Sequence, residues 1–182
     1  AACRRSHARL WPVDFDLLTS RSVTLEGRTF DYGPLKELKI PLLANYQPKN
    51  AAVAVTALSV LAHKGWHITE QHIREGFAAV QGPGRFEVLG NHPVFLLDGS
   101  HNPQGIAATA DSLRELFPEQ KFVFLLSIMA DKDVDTMLST LAPLAQQCFT
   151  VAADNPRATP PAVLAEKLQE LGCQAESCAS IP

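Results

Sequence analysis

The sequence predicts an α/β protein in two parts, in which a strand-and-helix segment precedes a doubly wound, mostly parallel sheet with helices on both faces. From about residue 94 onward, strand-like and helix-like patterns alternate regularly, as in sheets built from β-α-β units. The first part begins instead with a strand hairpin and ends with two helices. Between the parts, Gln81-Gly82-Pro83-Gly84 is the densest cluster of breaker residues, so we predict two domains, 1–81 and 82–182.

The elements of the first part follow from turn composition and helical spacing. Residues 13–31 contain two alternating segments separated by Glu-Gly, which predicts a hairpin, and residues 33–45 predict a short edge strand followed by a loop. Pro48 opens an Ala/Val/Leu-rich helix that runs to residue 61. Thr69 is a suitable cap for a second helix over 70–80.

The second part begins with two strands joined by a Gly-Asn-His-Pro turn and then alternates helix and strand. This alternation is what predicts the parallel sheet. The predicted strands are 85–89, 94–97, 121–127, 148–153 and one near 173–177, and the predicted helices are 103–116, 134–141 and 161–171.

Composition limits the classes of partner. The chain has 182 residues, is 46% hydrophobic and carries a net charge of −3 with scattered basic residues, so we expect no nucleic-acid or membrane partner and favour small molecules. No apolar run is long enough to cross a bilayer. The 4 cysteines lack CxxC spacing and are too few for a disulfide framework, which favours the cytoplasm.

The stretch LLDGSHNPQG places polar residues between a predicted strand and a helix that begins at Pro103. In open parallel sheets, ligands bind at such strand ends, and a helix N-terminus favours anions such as phosphate. His101 could donate to a phosphoryl oxygen, and Asp98 could accept from a ribose hydroxyl or bind a cation. A plain turn and helix cap explain the same residues equally well. A Ser100–His101 hydrolase site is disfavoured because adjacent side chains seldom face each other.

Three further residues are candidates for a binding site. Arg85 follows the breaker cluster and could reach a phosphate, although a surface arginine is the simpler interpretation. Lys132 follows a predicted strand, where a solvated helix start is the alternative. Asn50, in the first turn of the buried helix, could present its amide to a base edge or simply satisfy the core. The histidines lack a third ligand at useful spacing, so no metal site is predicted within the chain.

The segments LLANYQPKNAAVAVTALSVL, GPGRFEVLG, LLDGSHNPQG and IMADKD occur in this order. This series resembles the C-terminal half of the folylpolyglutamate synthase/dihydrofolate synthase family in the Mur ligase superfamily. The resemblance implies that 1–81 ends a central ATP-binding domain and that 82–182 is the C-terminal α/β domain. It implies an ATP- and Mg²⁺-dependent ligase that adds L-glutamate to folate or dihydropteroate through an acyl phosphate, in a parent protein expected to be a monomer.

The resemblance also implies roles for the five candidate residues. Asn50 would contact adenine, and Asp98 would contact the ribose. Arg85 and His101 would contact the phosphates, with His101 in the phosphate or acyl-phosphate region. Lys132 would help to place the incoming glutamate, so that Arg85, His101 and Lys132 form the implied catalytic set.

The chain also departs from the family pattern. It contains no G-x-x-x-x-G-K-[ST] sequence, so we expect the phosphate-binding loop and the magnesium ligands to lie outside it and the chain alone to be inactive. The sequence DGSHNP matches the folate-ligase form of a motif whose usual third residue is alanine, whereas Ser127 replaces a usual glycine. Two alternatives stay open, namely a Mur-type peptidoglycan precursor ligase and a non-catalytic module that binds a nucleotide or a partner.

Overall fold

A computed structural model describes residues 2–6 and 8–179 of the chain. These residues form two compact units, Ala1–Leu97 and Asp98–Pro182, which we call the first unit and the second unit. No helix among the described residues has the length and apolar character needed to cross a membrane.

The first unit contains an antiparallel sheet, two long helices and a separate hairpin. The sheet has the strand order β1-β2-β3, in agreement with the predicted hairpin and the edge strand that follows it. Its elements are α1 (Ala2–Arg5), β1 (Leu18–Thr24), β2 (Gly27–Tyr32), β3 (Leu35–Ile40), α2 (Gln47–His63), α3 (Glu70–Ala78), β4 (Glu87–Asn91) and β5 (Val94–Leu97).

The core of the first unit lies where α2 and α3 cover one face of the antiparallel sheet. Phe30 and Leu38 are paired on neighbouring strands and fully buried. Ala52 from α2 joins the same cluster, and Phe77 from α3 places its ring 6.3 Å from that of Phe30. Small side chains on α2 let the helix lie close to the sheet, so the Ala-rich sequence of this helix is a packing feature.

The predicted cap of α3 is present and is reciprocal. Thr69 Oγ1 accepts from the backbone N–H of His72 at 3.2 Å, and the His72 ring nitrogen Nδ1 accepts from the backbone N–H of Thr69 at 3.3 Å. Two donors that a helix start leaves unpaired are thereby satisfied. His72 therefore stabilises a helix terminus while its side chain stays exposed.

A buried carboxylate ties the three strands of the first sheet together. The Asp31 side chain is only 4% exposed, and its Oδ2 lies 2.5 Å from Arg21 Nη2 on β1 and 3.6 Å from Lys36 Nζ on β3. Its Oδ1 accepts from the backbone N–H of Glu37 at 2.9 Å. The hydrogen bond from Arg21, followed by that from Glu37, holds the pKa of Asp31 well below its ordinary value.

We therefore expect Asp31 to make the first unit sensitive to acid. A depressed folded-state pKa adds stability above the unfolded-state value of about 3.9, and this stability is lost as the pH falls through and below that value. Asp31→Asn should unfold at lower denaturant concentration than the wild type at pH 7, and the difference should shrink between about pH 5 and pH 2. Tryptophan fluorescence measures this, since both tryptophans, Trp11 and Trp66, lie in the first unit.

The control for this measurement is Asp16→Asn, which changes an exposed aspartate of the same unit. It should shift the unfolding midpoint little at any pH in this range. A difference between Asp31→Asn and wild type that stayed constant from pH 7 to pH 2 would contradict the role assigned to the Asp31 carboxylate.

The hairpin of β4 and β5 follows a tight turn at the predicted domain boundary. The backbone N–H of Arg85 donates to Gly82 O at 3.0 Å, and Glu87 Oε2 accepts from the backbone N–H of Gly84 at 2.7 Å. The structure groups this hairpin with the first unit. A boundary near residue 82 remains a prediction.

The second unit is a parallel sheet with three helices. Strand order is β6-β7-β8, and both pairings are parallel, so the predicted α/β class is confirmed. Its elements are α4 (Pro103–Leu116), β6 (Phe122–Leu126), α5 (Val134–Leu141), β7 (Ala145–Thr150), α6 (Pro161–Glu170) and β8 (Ala175–Ser177).

One core connects the three helices to one face of this sheet. Ile106 of α4, Leu138 of α5 and Leu164 of α6 belong to the same buried cluster as Cys148 of β7. On the other face of β6, Val123 and Leu125 are 59% and 52% exposed. Among the described residues, the three helices of the second unit therefore share one buried core with the parallel sheet.

The burial of Cys148 also affects its chemistry. Loss of solvent, with a smaller contribution from the neighbouring Cys173, raises the pKa of the Cys148 thiol to about 11. A thiol in this state is a poor nucleophile, so Cys148 acts as a small apolar core residue. The strand that contains it begins at Ala145, three residues before the predicted start, because Gln146 and Gln147 occupy strand positions that the polar composition obscured.

Candidate functional site

The loop between β5 and α4 is organised by a helix cap. Asn102 has an extended backbone, and its Oδ1 accepts from the backbone N–H of Gly105 at 2.8 Å. Pro103 occupies the first turn, where a missing N–H costs nothing. The predicted helix over 103–116 is therefore confirmed at both ends, and its N-terminal N–H groups lie beside the polar loop.

Asp98 is held by two donors on one carboxylate oxygen. Its Oδ1 accepts from the backbone N–H of Ser100 at 2.9 Å and from Thr109 Oγ1 at 3.0 Å. In the part of the chain that the structure describes, no hydrogen bond to Oδ2 is seen. The geometry therefore leaves one oxygen of a half-buried carboxylate available as an acceptor.

His101 is exposed and lies against the backbone of its own loop. Its Nδ1 is 3.0 Å from Gly99 O. A carbonyl only accepts, so this contact requires a proton on Nδ1, and Nε2 can donate only when the ring is doubly protonated. In that form, the ring would present both a donor and a positive charge to an anion beside the α4 terminus.

Lys132 lies in the loop that follows β6, as predicted. Its Nζ is 3.1 Å from Asp131 Oδ2, and Arg157 Nη1 approaches the same oxygen at 3.8 Å. The hydrogen bond from Lys132 lowers the pKa of Asp131. The loop is also joined to the Arg157 segment through the backbone, since Ala130 N–H donates to Arg157 O at 2.8 Å. Two basic side chains therefore share one carboxylate here.

The loops of Asp98, His101 and Lys132 lie toward the same end of the second unit. The ring of Phe117, at the end of α4, is 5.8 Å from that of Phe122, at the start of β6. Ile106, in the first turn of α4, and Ile128, just after β6, belong to the same buried cluster, so the start of α4 lies toward the end of β6, where the Lys132 loop begins. This is the strand end at which open α/β sheets bind ligands.

Asn50 and Arg85 belong to the first unit. Asn50 is exposed in the first turn of α2, and its Nδ2 donates to Gln47 Oε1 at 3.2 Å. Arg85 is exposed at the turn before β4, and its guanidinium has no ion-pair partner among residues 2–6 and 8–179. That these two residues and the second-unit loops serve one ligand remains a prediction.

Two participants in these loops were not identified from the sequence. The sequence places Thr109 within the predicted helix, where it follows Asn102 and Gly105 at seven- and four-residue spacing and so shares their helix face. Arg157 comes from the connection after β7, and the sequence contained no local signal of its approach to Asp131.

The second unit also has a cavity of about 520 Å³ at the opposite, amino ends of its strands. Lys121, Cys173 and Gln174 are among the residues that line it. None of the five candidate residues does. The cavity is therefore separate from the candidate site.

A metal site was not predicted within the chain. Among the residues that the structure describes, no group of three or more histidine, cysteine, aspartate or glutamate side chains could hold a metal ion. The location of the magnesium ligands outside the chain remains a prediction.

Sequence comparisons place the chain among ligases. Residues 84–182 match the family model described as Mur ligase, glutamate ligase domain. The chain is 35% identical over 142 residues to a folylpolyglutamate synthase of Lacticaseibacillus casei, covering 75% of this chain and 33% of that protein. A dihydrofolate synthase/folylpolyglutamate synthase of Mycobacterium tuberculosis is 33% identical, with 69% of this chain and 26% of that protein covered. The chain thus spans about a third or less of these relatives.

Solved structures agree with the sequence relatives. A folylpolyglutamate synthase of Mycobacterium tuberculosis complexed with ADP superposes with a TM-score of 0.85 at 29% identity, covering 98% of this chain and 41% of that one. A folylpolyglutamate synthase of Thermotoga maritima has a TM-score of 0.80 at 26% identity, with 97% and 42% covered. On the strength of the matched residues and this shared fold, the chain belongs to the Mur ligase family, and its second unit lies within the glutamate ligase domain of that family.

Proposed function

We propose that this chain is part of an ATP-dependent ligase that joins L-glutamate to folate, to dihydropteroate, or to both. The reaction transfers the γ-phosphoryl group of ATP to a substrate carboxylate and releases ADP. The amine of glutamate then attacks the acyl carbon, the C–O bond to the phosphoryl group breaks, and inorganic phosphate leaves. The relatives that match the chain are named for these two activities, which favours folate substrates over peptidoglycan precursors.

The observation that carries the proposal is the arrangement at the start of α4. A half-buried carboxylate with one free oxygen and an exposed imidazole flank a capped helix N-terminus. Such an end attracts anions, and the carboxylate suits a sugar hydroxyl. Solved relatives are complexed with ADP, or with Mn, AMPPNP and L-glutamate, which are ligands of this chemistry.

We assign the roles as follows. Asp98 accepts from a ribose hydroxyl, and His101 and Arg85 neutralise charge on the transferred phosphoryl group. Asn50 contacts adenine, and Lys132 attracts a carboxylate of the incoming glutamate. Bound Mg²⁺ supplies further charge neutralisation at the phosphates. In such a reaction, alignment and charge neutralisation account for most of the acceleration that the protein provides.

A substrate comparison tests the proposed function. The protein that carries this chain together with its P-loop portion is assayed for ADP release with glutamate and either a folate, dihydropteroate or a nucleotide-sugar peptide. We expect turnover with a folate or with dihydropteroate and none with the nucleotide-sugar peptide. The reverse preference would identify a peptidoglycan precursor ligase. Absence of an upstream G-x-x-x-x-G-K-[ST] sequence would instead favour a non-catalytic module.

The 182-residue chain alone should bind ATP no more tightly than about millimolar and should not hydrolyse it. Its residues supply contacts to the adenine, the ribose and one phosphate. Neutralising most of the triphosphate charge requires the backbone N–H groups and the lysine of a P-loop. Isothermal titration calorimetry with ATP measures this affinity. Micromolar binding would mean that the main nucleotide site lies within this chain.

Location and assembly complete the proposal. The substrates and nucleotide are small and soluble, and a chain with 4 cysteines and no disulfide pattern suits a reducing compartment, so we place the protein in the cytoplasm. We propose a monomer that binds neither nucleic acid nor membrane. Sedimentation of the intact protein tests the monomeric state, and fractionation of cells tests the cytoplasmic location.

A further inference from the structure

The hydroxyl of Thr109 in α4 has one proton to donate but three oxygen atoms within hydrogen-bonding distance. Thr109 is 9% exposed. Its Oγ1 lies 3.0 Å from Asp98 Oδ1, 3.1 Å from Ser100 Oγ and 3.1 Å from Gly105 O. All three neighbours belong to the loop and first turn that form the candidate site.

The chemistry of these neighbours decides where the single proton lies. The carbonyl of Gly105 and the carboxylate of Asp98 can only accept, whereas the Ser100 hydroxyl can donate or accept. A charged acceptor forms the stronger hydrogen bond, so the Thr109 proton goes to Asp98 Oδ1. Ser100 then donates to Thr109, and the two hydroxyls form a chain that ends on the carboxylate.

This chain has a consequence for ligand binding. Together with the N–H of Ser100, Thr109 holds Oδ1 and restricts rotation of the Asp98 carboxylate, and Oδ2 is left as an acceptor in a set direction. An acceptor restricted in this way loses less conformational freedom when a ligand binds. We propose that Thr109 is a positioning residue that aligns Asp98 for a ribose hydroxyl of the nucleotide. The inference rests on the role proposed for Asp98.

Close packing of the loop against the helix supports the assignment. A Cβ atom at position 105 would lie 3.0 Å from Ser100 Oγ and 3.3 Å from Asn102 Oδ1. The absence of a side chain at Gly105 therefore lets Ser100 lie directly against α4, where its hydroxyl reaches Thr109.

The test uses the protein that carries this chain together with its P-loop portion, and compares ATP with 2′-deoxy-ATP and 3′-deoxy-ATP. Thr109→Val removes the hydroxyl and keeps the branched shape, and Thr109→Ser restores the hydroxyl. Ser100→Ala removes the second hydroxyl of the chain. The matched control is Thr140→Val, because Thr140 Oγ1 donates to the carbonyl four residues earlier on α5, and no hydrogen bond from it to a carboxylate is seen among residues 2–6 and 8–179.

We expect wild type to have a KM for one deoxy nucleotide about tenfold above that for ATP, as for loss of one hydrogen bond to a charged group. Thr109→Val should raise the KM for ATP about fivefold, leave kcat within about twofold and leave the KM for that deoxy nucleotide unchanged. Thr109→Ser should behave like wild type. Ser100→Ala should show a smaller change in the same direction, and Thr140→Val should not alter the ratio of the two KM values.

The outcomes separate this inference from the proposed function. Equal increases in KM for ATP and for both deoxy nucleotides in Thr109→Val, or no change at all, would overturn the positioning role while leaving the ligase assignment intact. If Thr109→Val does not fold, Ser100→Ala provides the test. A ratio of the KM for the deoxy nucleotide to the KM for ATP that equals the wild-type ratio would overturn the positioning role. A wild type that ligates glutamate yet uses all three nucleotides equally would overturn the role of Asp98. A wild type that ligates no glutamate would overturn the proposed function itself.

Discussion

His101→Ala should slow ATP-dependent glutamate ligation about 100- to 1,000-fold in the protein that carries this chain together with its P-loop portion, by analogy with the loss of one transition-state donor. The ring contacts Gly99 O through Nδ1 at 3.0 Å, and in its doubly protonated form Nε2 is a second donor. Charge on the phosphoryl group develops during transfer, so the loss should fall on kcat more than on the KM for ATP. Steady-state kinetics with varied ATP separate these parameters.

The control for His101→Ala is His67→Ala. His67 is an exposed imidazole in the connection between α2 and α3, to which the proposal assigns no role. This variant should retain wild-type kinetics. A kcat for His101→Ala within about threefold of wild type would refute charge stabilisation by His101, because a single such donor is worth about 100-fold or more.

Gly27→Ala should destabilise the first unit by about 2–6 kcal/mol. Gly27 has φ +146°, and an added Cβ would lie 2.2 Å from Ile40 O and 3.0 Å from the Cα of Pro41. The backbone conformation alone costs a non-glycine residue about 1–3 kcal/mol. The backbone must also shift to remove the clash between the added Cβ and β3, which adds a cost typical of overpacking, about 1–3 kcal/mol. Denaturant unfolding followed by tryptophan fluorescence measures the sum.

Two other glycines of the same unit separate these terms. Gly65 has φ +95° but no atom near an added Cβ, so Gly65→Ala should cost only the backbone term of about 1–3 kcal/mol. Gly76 lies inside α3 with open space around it, and Gly76→Ala should stabilise by about 0.5–1 kcal/mol. If Gly27→Ala and Gly65→Ala unfolded at the same denaturant concentration, the close approach to Ile40 would contribute nothing to the free energy of unfolding.

The sequence was most informative where the determining interactions are local. Helix α4 has its predicted bounds, and it begins at Pro103 because Asn102 caps it and Pro103 suits the first turn, both of which are effects within one turn. Helix α5 also has its predicted bounds, with Asp133 Oδ1 accepting from the backbone N–H of Thr136. The placement of Asp98 and His101 before α4 could be predicted for the same reason.

Contacts between distant segments were beyond sequence reasoning. The burial of Asp31 between Arg21 and Lys36 depends on strand register, which sequence spacing did not determine. The approach of Arg157 to Asp131 depends on two loops that follow different strands. In each case, residues far apart in the chain meet only after the sheet has formed.

The sequence by itself determined the α/β class, the order of helices and strands, the caps and the polar loop at the start of α4. These follow from periodicity and from hydrogen bonds within about one helical turn. Only the tertiary structure decided that the Thr109 hydroxyl serves Asp98, that α4, α5 and α6 share one core, and that β7 begins at Ala145. The physical reason is that a side chain acquires its partners and its exposure from packing, which brings together segments that local preferences leave independent.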